Sequence, residues 1–154
     1  MNHTDTSSLI ASCAESALAT MFFTAIVGPS QEIPAEHPSA GPGGCIRARV
    51  HFVMEPGGFL ELAAEPQTLR GIASAFAAEE TDAVSADQVE QTACELANVI
   101  CGSVLRSAPE KSRFKLLPPV LLPEDSGALP SADVHSTRLA TEYGWVQISF
   151  AWNA

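Results

Sequence analysis

The chain has 154 residues, of which 46% are hydrophobic and 17% charged, a balance that fits a packed globular core and excludes a mainly disordered chain. A net charge of −10 removes the usual basis for binding nucleic acid or an anionic membrane, since both are held chiefly by Lys and Arg against phosphate. The length suits one domain over residues 1–154, burying about two thirds of the unfolded surface.

From Ser8 to Thr24, the residues Ile10, Cys13, Ala14, Ala17, Leu18, Met21 and Phe22 recur at helical spacing. The spacing predicts a first helix, capped by Ser7 or Ser8, with Met21 and Phe22 in the core. The apolar run Leu9 to Val27 carries Glu15 and many small and hydroxyl residues, which favours a helix of the folded domain over a membrane span. No Lys or Arg precedes that run, so no secretory signal is expected and the chain is placed in the cytoplasm. Gly28 to Gly44, with Pro29, Pro34, Pro38 and Pro42, reads as an irregular loop. Ile46 to Phe52 and Phe59 to Ala63 then form a hairpin around Glu55-Pro56-Gly57-Gly58. Ile46, Ala48, Val50 and Phe52 alternate with Arg47, Arg49 and His51, which predicts one wet face and makes His51 a surface residue.

Pro66 opens a second helix with Leu69, Ile72, Ala73 and Phe76 as its buried stripe. Ser85 and Gln88 form a capping box that starts a third helix at about Ser85. Val89, Ala93, Leu96, Ile100 and Val104 give this helix a narrow apolar stripe, and the same rotation puts Gln91, Glu95, Asn98 and Gly102 on the solvent side. Ala108-Pro109 ends it, Arg113 to Leu117 is a strand, and Pro118-Pro119 bends or stops that strand. After a Pro-bearing loop from Pro123 to Ser136, Thr137 to Glu142 pairs with Trp145 to Trp152 around Tyr143-Gly144. In the second arm Val146, Ile148, Phe150 and Trp152 alternate with Trp145, Gln147, Ser149 and Ala151, which predicts a sheet with one covered face. The sum is α+β: an antiparallel sheet of about six strands packed with three main helices.

Few residues could carry chemistry. Cys13, Cys45, Cys94 and Cys101 make no C-x-x-C pair, and His3, His37, His51 and His135 show no ligand spacing, so neither a metal nor a cofactor of the chain's own is expected. Cys94 and Cys101 share a helical face as two small hydrophobes. Gly41-Pro42-Gly43-Gly44 lacks the strand and helix that a phosphate cradle needs, and there is no G-x-S-x-G. What remains is the outer face of the third helix. Glu95 and Asn98 are neighbours there, and an exposed Gly102 costs roughly 1 kcal/mol relative to Ala unless another backbone must come close. Exposed Glu and Asn are also the norm on a merely solvated face.

The run Glu95-Leu96-Ala97-Asn98-Val99-Ile100-Cys101-Gly102 resembles the signature helix of the CheX/CheC chemotaxis phosphatases, Glu-x-x-Asn followed by Gly four residues after the Asn. Phe114-Lys115-Leu116-Leu117-Pro118-Pro119-Val120-Leu121 resembles the strand and Pro-containing turn that follow that helix, and Thr141-Glu142-Tyr143-Gly144 the last hairpin. The chain departs from the family in having Gly102-Ser103-Val104 where Gly-Asn-Ala or Gly-His-Ala is frequent, and in longer loops. A weak internal echo places Glu15-x-x-Leu18 where Glu95-x-x-Asn98 stands later, as in the duplicated CheC-like proteins, with Leu in place of Asn in the first copy.

The resemblance implies a CheC-like fold, and a phosphatase acting on the aspartyl phosphate of a CheY-like receiver domain. Asn98 would orient the attacking water, Glu95 would pair with the receiver's Lys, and Gln91 and Gly102 would face the docked partner. Mg²⁺ would come with the receiver. Homodimerisation through strand edges is a further expectation. The alternative is a non-catalytic module that binds a receiver or another signalling protein.

Overall fold

The structure is a computed structural model describing residues 3–33, 44–54, 57–107, 113–123 and 134–152. In chain order the elements are α1 (His3–Thr20), β1 (Gln31–Ile33), β2 (Ile46–Val53), β3 (Gly58–Ala64), α2 (Pro66–Ala77), α3 (Ala86–Ser107), β4 (Lys115–Leu116), β5 (Val120–Leu121), β6 (Val134–Thr141) and β7 (Gly144–Trp152), with a 3-10 turn at Thr81–Ala83. The seven strands make one antiparallel sheet in the order β1-β6-β7-β3-β2-β4, and β5 also pairs with β2.

β3 and β7 pair at the centre, Leu60 opposite Phe150 and Leu62 opposite Ile148, and each is flanked by its own hairpin partner. α1 precedes the first hairpin but packs over β6 of the second. α3 precedes the second and packs over β2 and β3 of the first. The internal echo is thus a pair of helix-plus-hairpin units that exchange helices across β3 and β7. One sheet face, with Ala48, Val50, Leu60, Leu62, Leu139, Val146, Ile148 and Phe150, joins the helices' apolar stripes in a single core.

The first helix starts earlier and stops sooner than its periodicity predicts. The Met21 and Phe22 amides both donate to the Ala17 carbonyl and the Thr24 amide to that of Leu18, with Phe23 in the left-handed region at φ 53°. This reversal at the helix C-terminus turns Phe22 into the core and leaves Met21 49% exposed, against the expectation that both are buried. Phe76 also departs from its predicted place. It stacks on Phe22 at 4.8 Å yet stays 42% exposed. Within the predicted Gly28 to Gly44 loop, β1 pairs with β6, and the Thr137 hydroxyl donates to the Gln31 carbonyl at 3.1 Å; residues 34–43 of that loop lie outside the described residues. Residues 55–56 of the first hairpin turn, and 108–109 after α3, likewise lie outside them.

The face predicted to be wet is buried at Arg47 and partly buried at Arg49. Arg47 and Glu61 are each 2% exposed, and Glu61 accepts from Arg47 Nε and Nη2, both at 3.1 Å, and from Arg49 Nη2 at 2.8 Å. Register explains it: Arg49 lies opposite Glu61, Glu61 opposite Ser149, and Ser149 opposite Ser136, whose hydroxyls meet at 2.8 Å. A row of polar side chains that satisfy one another sideways needs no water. Gln147 and Ser149 are buried with them, where solvent-facing residues were predicted, while Arg138 and Trp145 on the same face are partly exposed and His51 is exposed as expected. Pro118-Pro119 interrupts the strand after α3 without ending it, because the Leu117 amide donates to the His51 carbonyl and the Leu122 amide to that of Arg47, each at 2.9 Å.

Glu61→Gln should destabilise the fold by roughly 3 kcal/mol, since it removes the charge of the buried carboxylate that Arg47 and Arg49 share. Urea unfolding measures this, and an unchanged midpoint would contradict the ion cluster. Gly71 of α2 lies against the Tyr143 ring, where an added Cβ would overlap the ring and its own Cβ. Gly71→Ala should therefore cost about 1–3 kcal/mol and lower the Tm. An unchanged Tm would mean that the turn at Tyr143 yields freely.

Candidate functional site

α3 is started by the box that its sequence predicts. The Gln88 amide donates to Ser85 Oγ at 3.1 Å and the Ser85 amide to Gln88 Oε1 at 2.8 Å. Gln88 Nε2 also donates to Glu79 Oε2 at 3.3 Å, tying the entry to the segment after α2, and Arg70 donates to the carbonyls of Thr81 and Val84. The stripe Val89, Ala93, Leu96, Ile100 and Val104 is buried throughout. With the stripe down on β2 and β3, Gln91 and Glu95 are exposed and Asn98 is half-buried on the outer side.

These three side chains line one groove of about 590 Å³. Its apolar walls are Ala73, Phe76 and Ala77 of α2, and Pro119 and Leu121 beside β5. Its charged lining residues are Asp87, Glu90 and Glu95, so the field at its mouth is negative. Neither cysteine of α3 is an activated nucleophile: burial and the Glu90 carboxylate push the Cys94 thiol up, and burial pushes Cys101 up to about 12. His51 is on β2, outside the groove lining, with its pKa lowered by partial desolvation of the ring and by the Arg49 charge. Among the described residues, no three His, Cys, Asp or Glu side chains could together hold a metal ion, and no helix is long and apolar enough to cross a membrane.

Gly102 is not the open patch that its helical angle predicts. It is buried. A Cβ built there would meet Arg106 Nη1 at 3.0 Å, Cζ at 3.5 Å and Nη2 at 3.5 Å, so the cover is the guanidinium of a residue one turn further along the same face. The angular assignment holds and the exposure does not. Arg106 itself is exposed, and i, i+4 spacing from Gly102 was the signal that could have found it. Phe76 and Leu121 had no such signal, because their place in the groove depends on how α2 and β5 lie beside α3.

What the arrangement offers is an amide and a carboxylate one turn apart at the rim of a concave, negatively charged surface. It has no nucleophile of its own. It suits the handling of water and the pairing of a cation on another molecule.

The family model described as chemotaxis phosphatase CheX matches residues 46–140, which include β2, β3, α2, α3 and most of β6. No curated protein matches the chain. Among solved structures, a chemotaxis protein CheX from Desulfovibrio desulfuricans aligns over 97% of this chain and 99% of its own, with TM-score 0.76 and 15% identity. A CheC-like superfamily protein from Shewanella sp. PV-4 aligns over 100% of both chains at TM-score 0.74 and 16% identity. The CheX of a CheX–CheY–BeF3–Mg²⁺ complex from Borrelia burgdorferi aligns over 96% of this chain and 97% of its own, at TM-score 0.73 and 14% identity. At these identities the likeness is one of fold. The family assignment rests on the match over residues 46–140, more than half of the sequence: the chain belongs to the CheX family of chemotaxis phosphatases.

Proposed function

We propose that this protein accelerates hydrolysis of the aspartyl phosphate on a CheY-like receiver domain. The observation that carries the reading is the placement of Glu95 and Asn98 together on the outer face of α3, at the rim of one groove, in a chain of the CheX family. The Borrelia complex of CheX with CheY supports a receiver of that kind as partner. The receiver would supply the mixed anhydride, its Mg²⁺ and a cationic Lys. Asn98 would hold a water through its side-chain amide, in line with the bond between phosphorus and the aspartyl oxygen. Water oxygen bonds to phosphorus, the aspartyl oxygen leaves as carboxylate, and the proton goes with inorganic phosphate. No covalent bond to this chain forms, consistent with the protonated thiols of Cys94 and Cys101. Fixing a reactant in this way can remove several kcal/mol of barrier. Glu95, exposed on a negative surface, would pair with the receiver's Lys and hold register.

We also propose a homodimer. Among the described residues β1 and the β4–β5 segment end the sheet on either side, and a strand edge is where a second copy can pair. Light scattering at micromolar concentration should give twice the chain mass, and a monomer mass would remove the proposal.

Asn98→Ala should reduce stimulated dephosphorylation by about 10² to 10³, with receiver affinity and Tm nearly unchanged. Glu95→Ala should weaken affinity as well. If Asn98→Ala releases phosphate as fast as the parent, the chain is a docking module and the catalytic reading is wrong.

A further inference from the structure

We infer that the part of the groove ahead of Glu95 selects the receiver: Phe76 anchors an apolar side chain of the receiver surface there, and the acidic rim takes a Lys or Arg next to that side chain. The inference rests on the function proposed above. On α3 the groove lining runs from Asp87 to Asn98, about 16 Å at the helical rise, whereas the proposed chemistry uses only Glu95 and Asn98 at one end. That leaves about 10 Å of floor, from Asp87 to Cys94, without a task. Phe76 stands at this unused end. Gln88 Nε2 reaches Glu79 Oε2 at 3.3 Å, which puts the last turn of α2, and Phe76 on it, beside the first turns of α3.

The ring of Phe76 is 42% exposed, and its buried side is fixed by stacking on the buried Phe22 at 4.8 Å and 28°. A ring held in this way loses little freedom when a partner covers it, which is what a docking anchor requires. Leu121, also exposed, lines the opposite wall, so apolar side chains bound the groove on both sides. Charge then decides the occupant. Asp87 and Glu90 line this part of the groove and Glu79 is held at its edge by Gln88, while none of the described lining residues is Lys or Arg. A second copy of this chain, at net charge −10, is disfavoured there, and a wholly apolar segment leaves the carboxylates unmatched. An apolar side chain with a cation beside it suits both the walls and the rim. The consequence is selectivity. The mixed anhydride, Mg²⁺ and Lys at the reacting centre cannot distinguish one receiver from another that carries the same groups, so discrimination has to come from contacts outside it.

The test is the affinity of the parent and its variants for a CheY receiver domain loaded with beryllofluoride and Mg²⁺, together with the receiver concentration that half-saturates phosphate release and the rate at saturation. Phe76→Ala should weaken affinity and raise the half-saturating concentration by about tenfold or more, with the rate at saturation unchanged. Asn98→Ala does the reverse under the function proposed above. Leu121→Ser should weaken affinity in the same way, and on the opposite wall it tests the groove even if Phe76→Ala fails to fold. Asp87→Asn combined with Glu90→Gln should slow association at low salt and flatten its salt dependence. Receiver affinity unchanged in both Phe76→Ala and Leu121→Ser overturns the inference and leaves the proposed function standing, and a loss confined to the rate at saturation overturns it as well. An unchanged association rate in the acidic double variant removes the cation from the occupant and overturns it in the form stated. If Phe76→Ala instead lowers the mass in light scattering with receiver affinity intact, a second copy covers the groove and the inference is wrong. A parent that neither binds the receiver nor releases its phosphate removes the proposed function and this inference together.

Discussion

The apolar stripe of α3 is buried against β2 and β3, and that burial sets the rotation of the helix about its own axis. Val89, Leu96, Ile100 and Val104 are each worth about 1.5–3 kcal/mol when fully buried. Turning the helix by one residue would bring most of them to the surface and press Glu95 into the core. No polar contact on the outer face approaches that cost, so the positions of Gln91, Glu95 and Asn98 are dictated from below. The outer face needs no internal partners to hold its orientation and remains free to meet another molecule.

The exchange of helices between the two hairpin units has a second consequence. Because α3 sits over the first hairpin, the edge of that hairpin, where β4 and β5 join β2, lies beside the site and supplies Pro119 and Leu121 to the groove. α2, inserted between the units, packs on α3 and supplies the opposite wall with Ala73, Phe76 and Ala77. Helix α1, the equivalent of α3 in the first unit, carries Leu18 where α3 carries Asn98, and Leu18 is fully buried. The duplicated plan therefore supports one polar face, with the other copy serving the core.

Legibility follows the range of the interactions. The capping box, the stripe and the rim residues of α3 depend on neighbours three or four positions away, and all were readable. Arg47 was misread because its partner Glu61 lies 14 positions off on the next strand, and a charged residue judged alone belongs in water. β1 was missed for the same reason, since three residues in a Pro-rich segment become a strand only by pairing with β6. Phe76 has core periodicity, but its neighbour Phe22 covers one side of the ring only. Gly102 was placed at the right angle and given the wrong surroundings, because the arginine four residues on was left out of the helical face. In the groove, Gln91, Glu95 and Asn98 were legible as outer-face residues of α3, and the groove walls were not.

The central proposal is that the face bearing Glu95 and Asn98 acts on an acyl phosphate and does more than bind its carrier. The decay of an aspartyl phosphate on a CheY-like receiver, followed with this protein in substoichiometric amount, tests it directly. Complete and accelerated release of inorganic phosphate, beyond one equivalent per chain, is the result the account predicts. Decay at the receiver's own rate, under conditions where the two proteins demonstrably bind, would contradict it.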